Sequence, residues 1–392
     1  MASPALAKLG RRVRLGLIGG GGGALIGPVH RVAARLDECF DIVAGALSSN
    51  AEKALAEALR LGVPRGYPSV AAMIAGEAAR PDGIDAVAIM TPNDSHHGYA
   101  AAALEAGLDV ICDKPLTNDL ASSLDLVARA KASRRLLCVT HNYSGYPMVR
   151  EARAAIAAGE IGPLRVVHAS YVQGSLGTRV EDNPEQISDR LRWRLDPARG
   201  GLSHVLGDIG THVHQLVGYV AGRRIEAVLA DVGSVIPGRT AHDTASVVVR
   251  LEGGARGALF VTKAATGAEN ALSIEAYGEA GGVSWNQAAA NELRVMRNAR
   301  PAEIRTRGLP TLHPLARAAA RIPAGHPEAF FEAFANLYRD FAELVAARRT
   351  GAAPDPLAKS VPMAEDGADG LAFVEACIAS TKLGKWVDVQ RV

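Results

Sequence analysis

The sequence predicts an α/β protein in two parts, a doubly wound parallel sheet followed by an α+β domain with a large, mostly antiparallel open sheet. Two observations support this fold class. Up to residue 140, short and fully apolar runs alternate with helical stretches, which is typical of a parallel sheet covered on both faces. Beyond residue 140, apolar and polar residues alternate within the runs, and glycine-rich turns join them, as in antiparallel strands. We therefore expect one domain over residues 1–140 and a second over residues 141–392.

The elements of the first 140 residues follow from this alternation. Predicted strands cover Val13–Ile18, Phe40–Leu47, Ala86–Met90, Asp109–Cys112 and Leu136–Thr140, and predicted helices cover Val29–Leu36, Ala51–Leu61, His96–Ala106 and Leu120–Ser133. Glycines at positions 62 and 107 end two of these helices. Sheets of this kind bind ligands beyond the carboxyl ends of their strands, so the loops that follow the strands are where function is expected.

The pattern changes in the second part of the chain. Predicted strands there are Leu164–Tyr171, Ile225–Val235, Thr244–Leu251, Ala255–Thr262, Leu272–Tyr277 and Leu293–Arg297, preceded by a helix over Tyr146–Ala158. The stretch Arg300–Pro327 is rich in Pro, Arg and Ala and predicts an irregular excursion. Two late helices are expected near Glu328–Arg349 and Pro362–Thr381.

The composition indicates a folded protein that binds a small ligand. Of its 392 residues, 48% are hydrophobic and 21% are charged, and the formal net charge is only +2. This balance favours neither nucleic acid nor a membrane as a partner. The four cysteines are far apart and form no metal-ligand cluster in sequence, so we expect a reducing, cytoplasmic location. Arg11-Arg12 before Leu15–Val29 resemble a twin-arginine export signal, but the same run supplies the first strand and a phosphate loop.

A run of glycines follows the first predicted strand. The segment from Gly19 to Gly27 reads GGGGGALIG and leads into a helix. Glycines let the backbone turn sharply and approach a pyrophosphate, and the helix amino terminus offers free N–H groups. The dinucleotide fingerprint fits either Gly19, Gly21 and Ala24 or Gly22, Ala24 and Gly27, so the register stays open. We predict a Rossmann-type domain whose cofactor contacts include Gly19, Gly21, Gly22, Gly23, Ala24, Leu25 and Ile26.

The end of the second strand bears on the choice between NAD and NADP. The fingerprint expects a carboxylate there to bind the ribose hydroxyls. This chain has Ser48-Ser49-Asn50 followed by Lys53, and a hydroxyl with a nearby ammonium can hold a 2′-phosphate. The residues therefore favour NADP over NAD as the NAD(P) cofactor. The alternative is that they simply begin a solvated helix.

Three further motifs, taken in order, resemble the signature of the Gfo/Idh/MocA dehydrogenases. They are Thr91-Pro92-Asn93 with His96, Asp113-Lys114-Pro115, and Gly200-Gly201 through Asp208 to His212. The resemblance covers nearly the whole chain. It implies a dehydrogenase that uses NAD(P) on sugars, cyclitols or their derivatives, without a metal. It also implies a homo-oligomer, dimer or tetramer, assembled through the open sheet, and a catalytic set of Lys114, Asp208 and His212.

The chemistry of these residues is consistent with that role. Lys114 lies just past the carboxyl end of a parallel strand, Pro115 holds it in an extended turn, and its ammonium can polarise a reacting oxygen. The family motif is Glu-Lys-Pro, so Asp113 is a departure that leaves the supporting role of this carboxylate open. Asp208 and His212 share one face of a predicted helix. His212 can shuttle the proton of an alcohol, and Asp208 can orient the His212 ring or hold a neighbouring substrate hydroxyl.

Other residues near these motifs are candidates for binding or for packing. Cofactor contacts are expected from Thr91, Pro92, Asn93, His96, Asp113, Lys114 and Asn142, and substrate contacts from Lys114, Tyr143, Trp193, Arg194, Asp208 and His212. His96 alternatively caps its helix. His214 is expected to point to another face than His212.

Two other functions are compatible with the same fold. A cofactor-binding sensor keeps the fold without the chemistry, and it is expected to have lost the lysine or the histidine. An NAD-dependent glycosidase uses the cofactor transiently and shows no net change in nicotinamide absorbance.

Overall fold

The structure is a computed structural model that describes residues 4–183, 185 and 187–392. The chain forms two compact units. The first contains residues 4–117, 121–145 and 330–367, and the second contains the described residues of 118–120, 146–329 and 368–392. A parallel sheet in the first unit and a mostly antiparallel sheet in the second confirm the predicted fold class. The domain boundary at residues 140 and 141 stays a prediction.

The first unit is built on a six-stranded parallel sheet with the order β3-β2-β1-β4-β5-β6. Its strands are β1 (Val13–Gly19), β2 (Phe40–Ala46), β3 (Arg65–Gly66), β4 (Ala86–Met90), β5 (Asp109–Cys112) and β6 (Leu137–Val139). Its helices are α1 (Pro4–Leu9), α2 (Ile26–Leu36), α3 (Ala51–Arg60), α4 (Val70–Ala78), α5 (Asn93–Glu105) and α6 (Leu120–Ser133). The strand order reverses between β1 and β4, and ligands of such sheets bind beyond this switch point.

Two helices next to this switch point begin three residues earlier than predicted. The helix α2 begins at Ile26 and not at Val29, and α5 begins at Asn93 and not at His96. Pro28 fits within α2 because it lies in the first turn, where a missing N–H breaks no helical hydrogen bond. The short elements α1, β3 and α4 were not predicted.

The second unit is built on a nine-stranded sheet with the order β14-β13-β12-β11-β7-β10-β9-β8-β15. Its strands are β7 (Leu164–Val172), β8 (Ile225–Gly233), β9 (Thr244–Leu251), β10 (Arg256–Thr262), β11 (Ala271–Gly278), β12 (Gly281–Asn286), β13 (Glu292–Arg297), β14 (Glu303–Thr306) and β15 (Val387–Asp388). Neighbouring strands are antiparallel except β7 and β10, which are parallel. The helices of this region are α7 (Pro147–Ala157), α8 (Asp189–Leu195), α9 (Pro197–Gly200), α10 (Thr211–Ala221) and α11 (Pro314–Ala318).

One face of the nine-stranded sheet is open. Burial alternates along β9, β10 and β11, so that Val248, Phe260 and Tyr277 remain 45%, 37% and 36% exposed. The opposite face is buried, with Trp285 of β12 1% exposed and packed against Tyr146 at a ring separation of 5.3 Å.

The prediction of an irregular excursion over Arg300–Pro327 was wrong in part. This stretch contains β14 and α11. The strand β14 pairs on one side only, and its exposed side chains include Glu303 and Ile304. Charged residues are common on edge strands, which is why the apolar pattern did not reveal it.

Two long helices complete the chain, α12 (Phe330–Thr350) and α13 (Ala364–Leu383). The helix α12 belongs to the first unit, where Phe334, Phe341 and Val345 join the apolar core beside β1. A segment near the end of the sequence therefore contributes to the unit that contains the glycine loop. No helix of the described chain is long and apolar enough to cross a membrane.

Candidate active site

The glycine loop joins β1 to α2 and is closed by a backbone contact. A Cβ atom on Gly27 would lie 2.1 Å from the carbonyl oxygen of Gly20, which is too close for any side chain. Such close packing is the role of the third glycine in a dinucleotide fingerprint. The contact favours the register that ends at Gly27, with Gly22 and Ala24 before it.

Two charged side chains that the sequence analysis did not single out brace this loop. The N–H of Gly22 donates to Glu57 Oε2 at 2.8 Å, and the Arg31 guanidinium donates to the carbonyl oxygen of Gly20 at 2.7 Å. Arg60 donates to the same carboxylate at 2.7 Å, and this hydrogen bond, with that of Gly22, lowers the pKa of Glu57. The loop therefore presents an N–H to an anionic oxygen, which is the chemistry that a pyrophosphate requires.

The residues at the end of β2 begin the next helix. Asn50 is the N-cap of α3, and its Oδ1 accepts the N–H of Lys53 at 2.9 Å, while Ser48 Oγ accepts the N–H of Asn50 at 3.2 Å. This arrangement agrees with the alternative that these residues begin a helix. The contacts of Ser48, Ser49, Asn50 and Lys53 with a cofactor stay a prediction.

The turn that contains Lys114 follows β5 and is held by Asp113. Oδ1 of Asp113 accepts the Thr140 hydroxyl at 2.7 Å and the Lys114 N–H at 3.0 Å, and the Lys114–Pro115 peptide bond is cis. Burial raises the pKa of Asp113, but His30, Lys114 and Thr140 together outweigh it and hold this pKa well below its usual range. The shorter carboxylate thus anchors the main chain of Lys114.

A buried histidine connects this turn to the helix α12. His30 is fully buried; its Nδ1 lies 2.7 Å from the Tyr338 hydroxyl, and its Nε2 lies 3.9 Å from Asp113 Oδ1. The ring is therefore hydrogen-bonded to the Tyr338 hydroxyl on one side and faces the Asp113 carboxylate, beyond hydrogen-bond distance, on the other. Local sequence patterns do not reveal this pair because its two residues are 308 positions apart.

His96 braces the same turn from the side of β4. It is 1% exposed, with Nδ1 at 2.9 Å from the Pro115 carbonyl oxygen and Nε2 at 2.8 Å from the Thr91 carbonyl oxygen. The ring therefore ties the end of β4 to the Lys114–Pro115 turn. A direct contact of His96, Thr91, Pro92 or Asn93 with the cofactor stays a prediction.

Asn142 and Tyr143 follow β6 in a short 3₁₀ helix, Asn142–Gly145, and both are 2% exposed. The side-chain nitrogen of Asn142 is buried and makes no hydrogen bond within the described chain. A buried donor of this kind indicates an acceptor supplied from outside the chain. Such a donor and the close backbone approach at Gly27 are features that a dinucleotide site needs, and the contact of Asn142 with a cofactor stays a prediction.

The second unit contains the predicted acid–base pair. Gly201 has a φ of 100° and follows α9, and a Cβ there would lie 2.8 Å from the Asn118 carbonyl oxygen. Asp208 lies in a π-helical turn, Leu206–Gly210, that leads directly into α10, and His212 lies in the first turn of α10. His212 is 6% exposed, and its ring lies 6.3 Å from that of Tyr171. Single π turns of this type are frequent at functional sites.

Asp208 forms an ion pair that the sequence analysis did not predict. Lys263 Nζ lies 2.5 Å from Asp208 Oδ2, and the two side chains are 8% and 22% exposed. Lys263 directly follows β10 and is 55 residues from Asp208 in sequence. Its position just past a strand end was the only signal that could have drawn attention to it.

The remaining candidates of the second unit lie in different surroundings. His214 packs on Phe373 with a ring separation of 4.9 Å, and burial, aided by the charge of Arg224, lowers its pKa to about 4. It is therefore neutral and part of the core. In α8 the Arg194 guanidinium lies 4.5 Å from the centre of the Trp193 ring, and substrate contacts of these two residues stay a prediction.

The predicted catalytic set is divided between the two units. Lys114 belongs to the first unit, and Asp208 and His212 belong to the second. Their joint action, and the substrate contact of Tyr143, stay predictions. In the described ranges, no three His, Cys, Asp or Glu side chains come together as metal ligands.

Comparison with known proteins gives two family matches. Residues 13–141 match the oxidoreductase family with an NAD-binding Rossmann fold, and residues 149–284 match the GFO/IDH/MocA C-terminal domain. An uncharacterized oxidoreductase of Bacillus subtilis, YfiI, is 34% identical over 386 residues, which cover 97% of this chain and 98% of the relative.

Two further relatives have functional descriptions. The levoglucosan dehydrogenase of Pseudarthrobacter phenanthrenivorans is 29% identical over 73% of this chain and 76% of its own. The crystal structure of an inositol dehydrogenase homologue from Azotobacter vinelandii, in complex with NADH and myo-inositol, is 34% identical with a TM-score of 0.87, covering 97% of this chain and 98% of that one. The chain therefore belongs to the GFO/IDH/MocA family and is an oxidoreductase with an NAD-binding Rossmann domain.

Proposed function

We propose that this oxidoreductase oxidises a hydroxyl-bearing carbon of a sugar, glycoside or cyclitol with NAD(P), or reduces the corresponding keto group in reverse. The observation that supports it best is the lysine turn. Lys114 stands at the carboxyl end of a parallel strand beyond a dinucleotide loop, and Asp113 and His96 hold its turn in place. The substrates in the descriptions of the relatives, levoglucosan and myo-inositol, are polyols of this class.

Each residue of the set has a defined task in this reaction. His212 accepts the hydroxyl proton during oxidation, and the Lys114 ammonium donates a hydrogen bond to the same oxygen as it becomes a carbonyl. Asp208 accepts a hydrogen bond from a neighbouring hydroxyl. A bound nicotinamide would supply the acceptor for the hydride, which carries both electrons away from the carbon and leaves a ketone. The glycine loop and Asn142 are the groups that would hold this cofactor.

The preference for NADP over NAD belongs to this proposal. Lys53 at the start of α3 supplies a cation near the end of β2, which favours a 2′-phosphate. Glu57, one turn further along α3, brings a carboxylate to the glycine loop and opposes it. The ratio of kcat/KM for the two cofactors, compared between the native enzyme and Lys53→Ala, tests the preference. A ratio that does not change in the variant contradicts the role of Lys53.

Location and assembly are proposed on separate grounds. The four cysteines all lie among the described residues, are buried and form no disulfide, as expected in a reducing cytoplasm. The open face of the nine-stranded sheet carries Val248 and Phe260, and we expect a second copy of the chain to cover it in a dimer or tetramer. Light scattering of the purified protein measures the oligomeric state, and a monomer contradicts this expectation.

The deciding experiment follows absorbance of the reduced nicotinamide. Purified protein is incubated with NAD or NADP and a panel of sugars and cyclitols. A rise with one class of polyol identifies the substrate and the preferred cofactor. No rise with any polyol, and no fall with NAD(P)H and keto-sugars, would refute the proposed oxidoreduction. In that case release of an aglycone would identify a glycosidase, and binding without turnover a sensor.

A further inference from the structure

The ion pair of Lys263 and Asp208 differs from the surface pairs of this chain. The pair of Lys131 and Glu365 is 64% and 45% exposed, whereas the ammonium-bearing side chain of Lys263 is 8% exposed. A lysine loses hydration when it is shielded in this way, so it is stable there as a cation only beside an anion. Asp208 is that anion, at 2.5 Å.

The base of Lys263 is fixed by main-chain hydrogen bonds on both sides. Its N–H donates to the Asp243 carbonyl oxygen at 2.8 Å, and its carbonyl oxygen accepts the N–H of Leu176 at 2.8 Å. Asp243 is itself fully buried and accepts a hydrogen bond from Arg239 at 3.2 Å. Lys263 therefore starts from a rigid point, which is what a residue that orients another side chain needs.

The Asp208 carboxylate has the capacity to accept more hydrogen bonds than the one from Lys263. A carboxylate accepts up to about four hydrogen bonds, and Lys263 is bonded to Oδ2. The Asp208 side chain is 22% exposed, so a ligand can reach it. The cation favours the ionised carboxylate, which only accepts hydrogen bonds, and a sugar or cyclitol hydroxyl is a donor that it can accept from.

We propose that Lys263 is a positioning residue for Asp208. Its ammonium holds the carboxylate ionised and oriented to accept a hydrogen bond from a second substrate hydroxyl, next to the carbon that reacts. The enzyme thereby selects polyols with a hydroxyl beside the reacting carbon over analogues that lack it. This inference rests on the proposed function, because it takes Asp208 as part of the substrate site.

A double-mutant cycle tests the inference. The values of kcat and KM are measured for the native enzyme, Lys263→Met, Asp208→Asn and the double variant. The substrates are the polyol that the native enzyme turns over and its monodeoxy analogue without the neighbouring hydroxyl. We expect the native enzyme to prefer the polyol by at least about tenfold in kcat/KM, and each single variant to lose most of this preference. The double variant is expected to be no worse than the poorer single variant, because Lys263 acts through Asp208.

Controls separate this role from general stability. Lys8→Met removes another lysine–carboxylate pair, that of Lys8 with Glu343, which belongs to the first unit. We expect the Lys8→Met enzyme to prefer the polyol as strongly as the native enzyme does. If Lys263→Met does not fold, Lys263→Gln replaces it, since glutamine can donate to Asp208 without the charge.

The outcomes distinguish the inference from the proposed function. Two outcomes overturn the inference: a Lys263 variant that keeps the native preference, or losses of preference in the two single variants that multiply in the double variant. If Lys114→Met still abolishes turnover in either case, the proposed function stands. A native enzyme that oxidises no polyol and reduces no keto-sugar overturns both.

Discussion

The contact between Gly27 and Gly20 makes the glycine loop sensitive to a single methyl group. In Gly27→Ala the new Cβ would lie 2.1 Å from the Gly20 carbonyl oxygen, more than 1 Å inside an ordinary contact, and 2.8 Å from the Gly20 carbonyl carbon. Helix propensity favours alanine by up to about 1 kcal/mol. The new Cβ would meet the main chain of Gly20, which cannot rotate away as a side chain can, and overpacking of this kind costs about 1–3 kcal/mol. The clash therefore outweighs the propensity, and the loop must move.

A movement of the loop by about 1 Å is expected to weaken NADH binding by roughly 10- to 100-fold. Fluorescence titration gives the Kd, and thermal unfolding gives the change in stability. Gly98→Ala is the matched control, because Gly98 is also a helical glycine, in α5, and a Cβ there would meet no heavy atom within 4 Å outside its own helix. We expect the Kd of this variant to stay within a few fold of the native value. Equal NADH affinity and equal Tm for Gly27→Ala and the native protein would show that the loop tolerates the methyl group and refute the reasoning.

Three other changes test the braces around the site. Lys114→Met is expected to abolish turnover while the Kd for NADH stays near the native value, and near-native turnover would contradict the assignment. Tyr338→Phe leaves the buried Nδ1 of His30 without its hydrogen-bond partner and is expected to lower the free energy of unfolding by about 1–3 kcal/mol in urea titrations. Tyr219→Phe is the control for this variant, because the Tyr219 hydroxyl makes no hydrogen bond in the described chain. We expect it to leave the free energy of unfolding nearly unchanged. In the folded protein the pKa of His214 is lowered to about 4, whereas in the unfolded chain it is about 6.5. As pH falls below about 6.5 the unfolded chain therefore binds a proton that the folded chain does not, and the free energy of unfolding decreases. From neutral pH to pH 5 this loss is roughly 2 kcal/mol, and His214→Leu is expected to lack it; an equal loss in both proteins contradicts the assignment.

Much of the first unit could be predicted from local patterns. The strands β1, β2, β4 and β5 were predicted within one residue at each end because an apolar run in a parallel sheet is buried on both faces wherever it pairs. The short or polar elements β3, β12 and β14 were missed, since β12 begins with two glycines and β14 lies at an edge. Local sequence does not distinguish such segments from loops.

The sequence by itself determined where the chemistry-bearing residues stand along the chain: a glycine loop after β1, a lysine after β5, and an aspartate and a histidine four residues apart. Only the tertiary structure decided their partners. Glu57 meets the loop, Tyr338 meets His30, and Lys263 meets Asp208 across 35, 308 and 55 residues. Periodicity reports whether a position is buried, because burial repeats with the geometry of one helix or strand. It does not report which buried charge faces which, because that depends on how elements distant in sequence pack together.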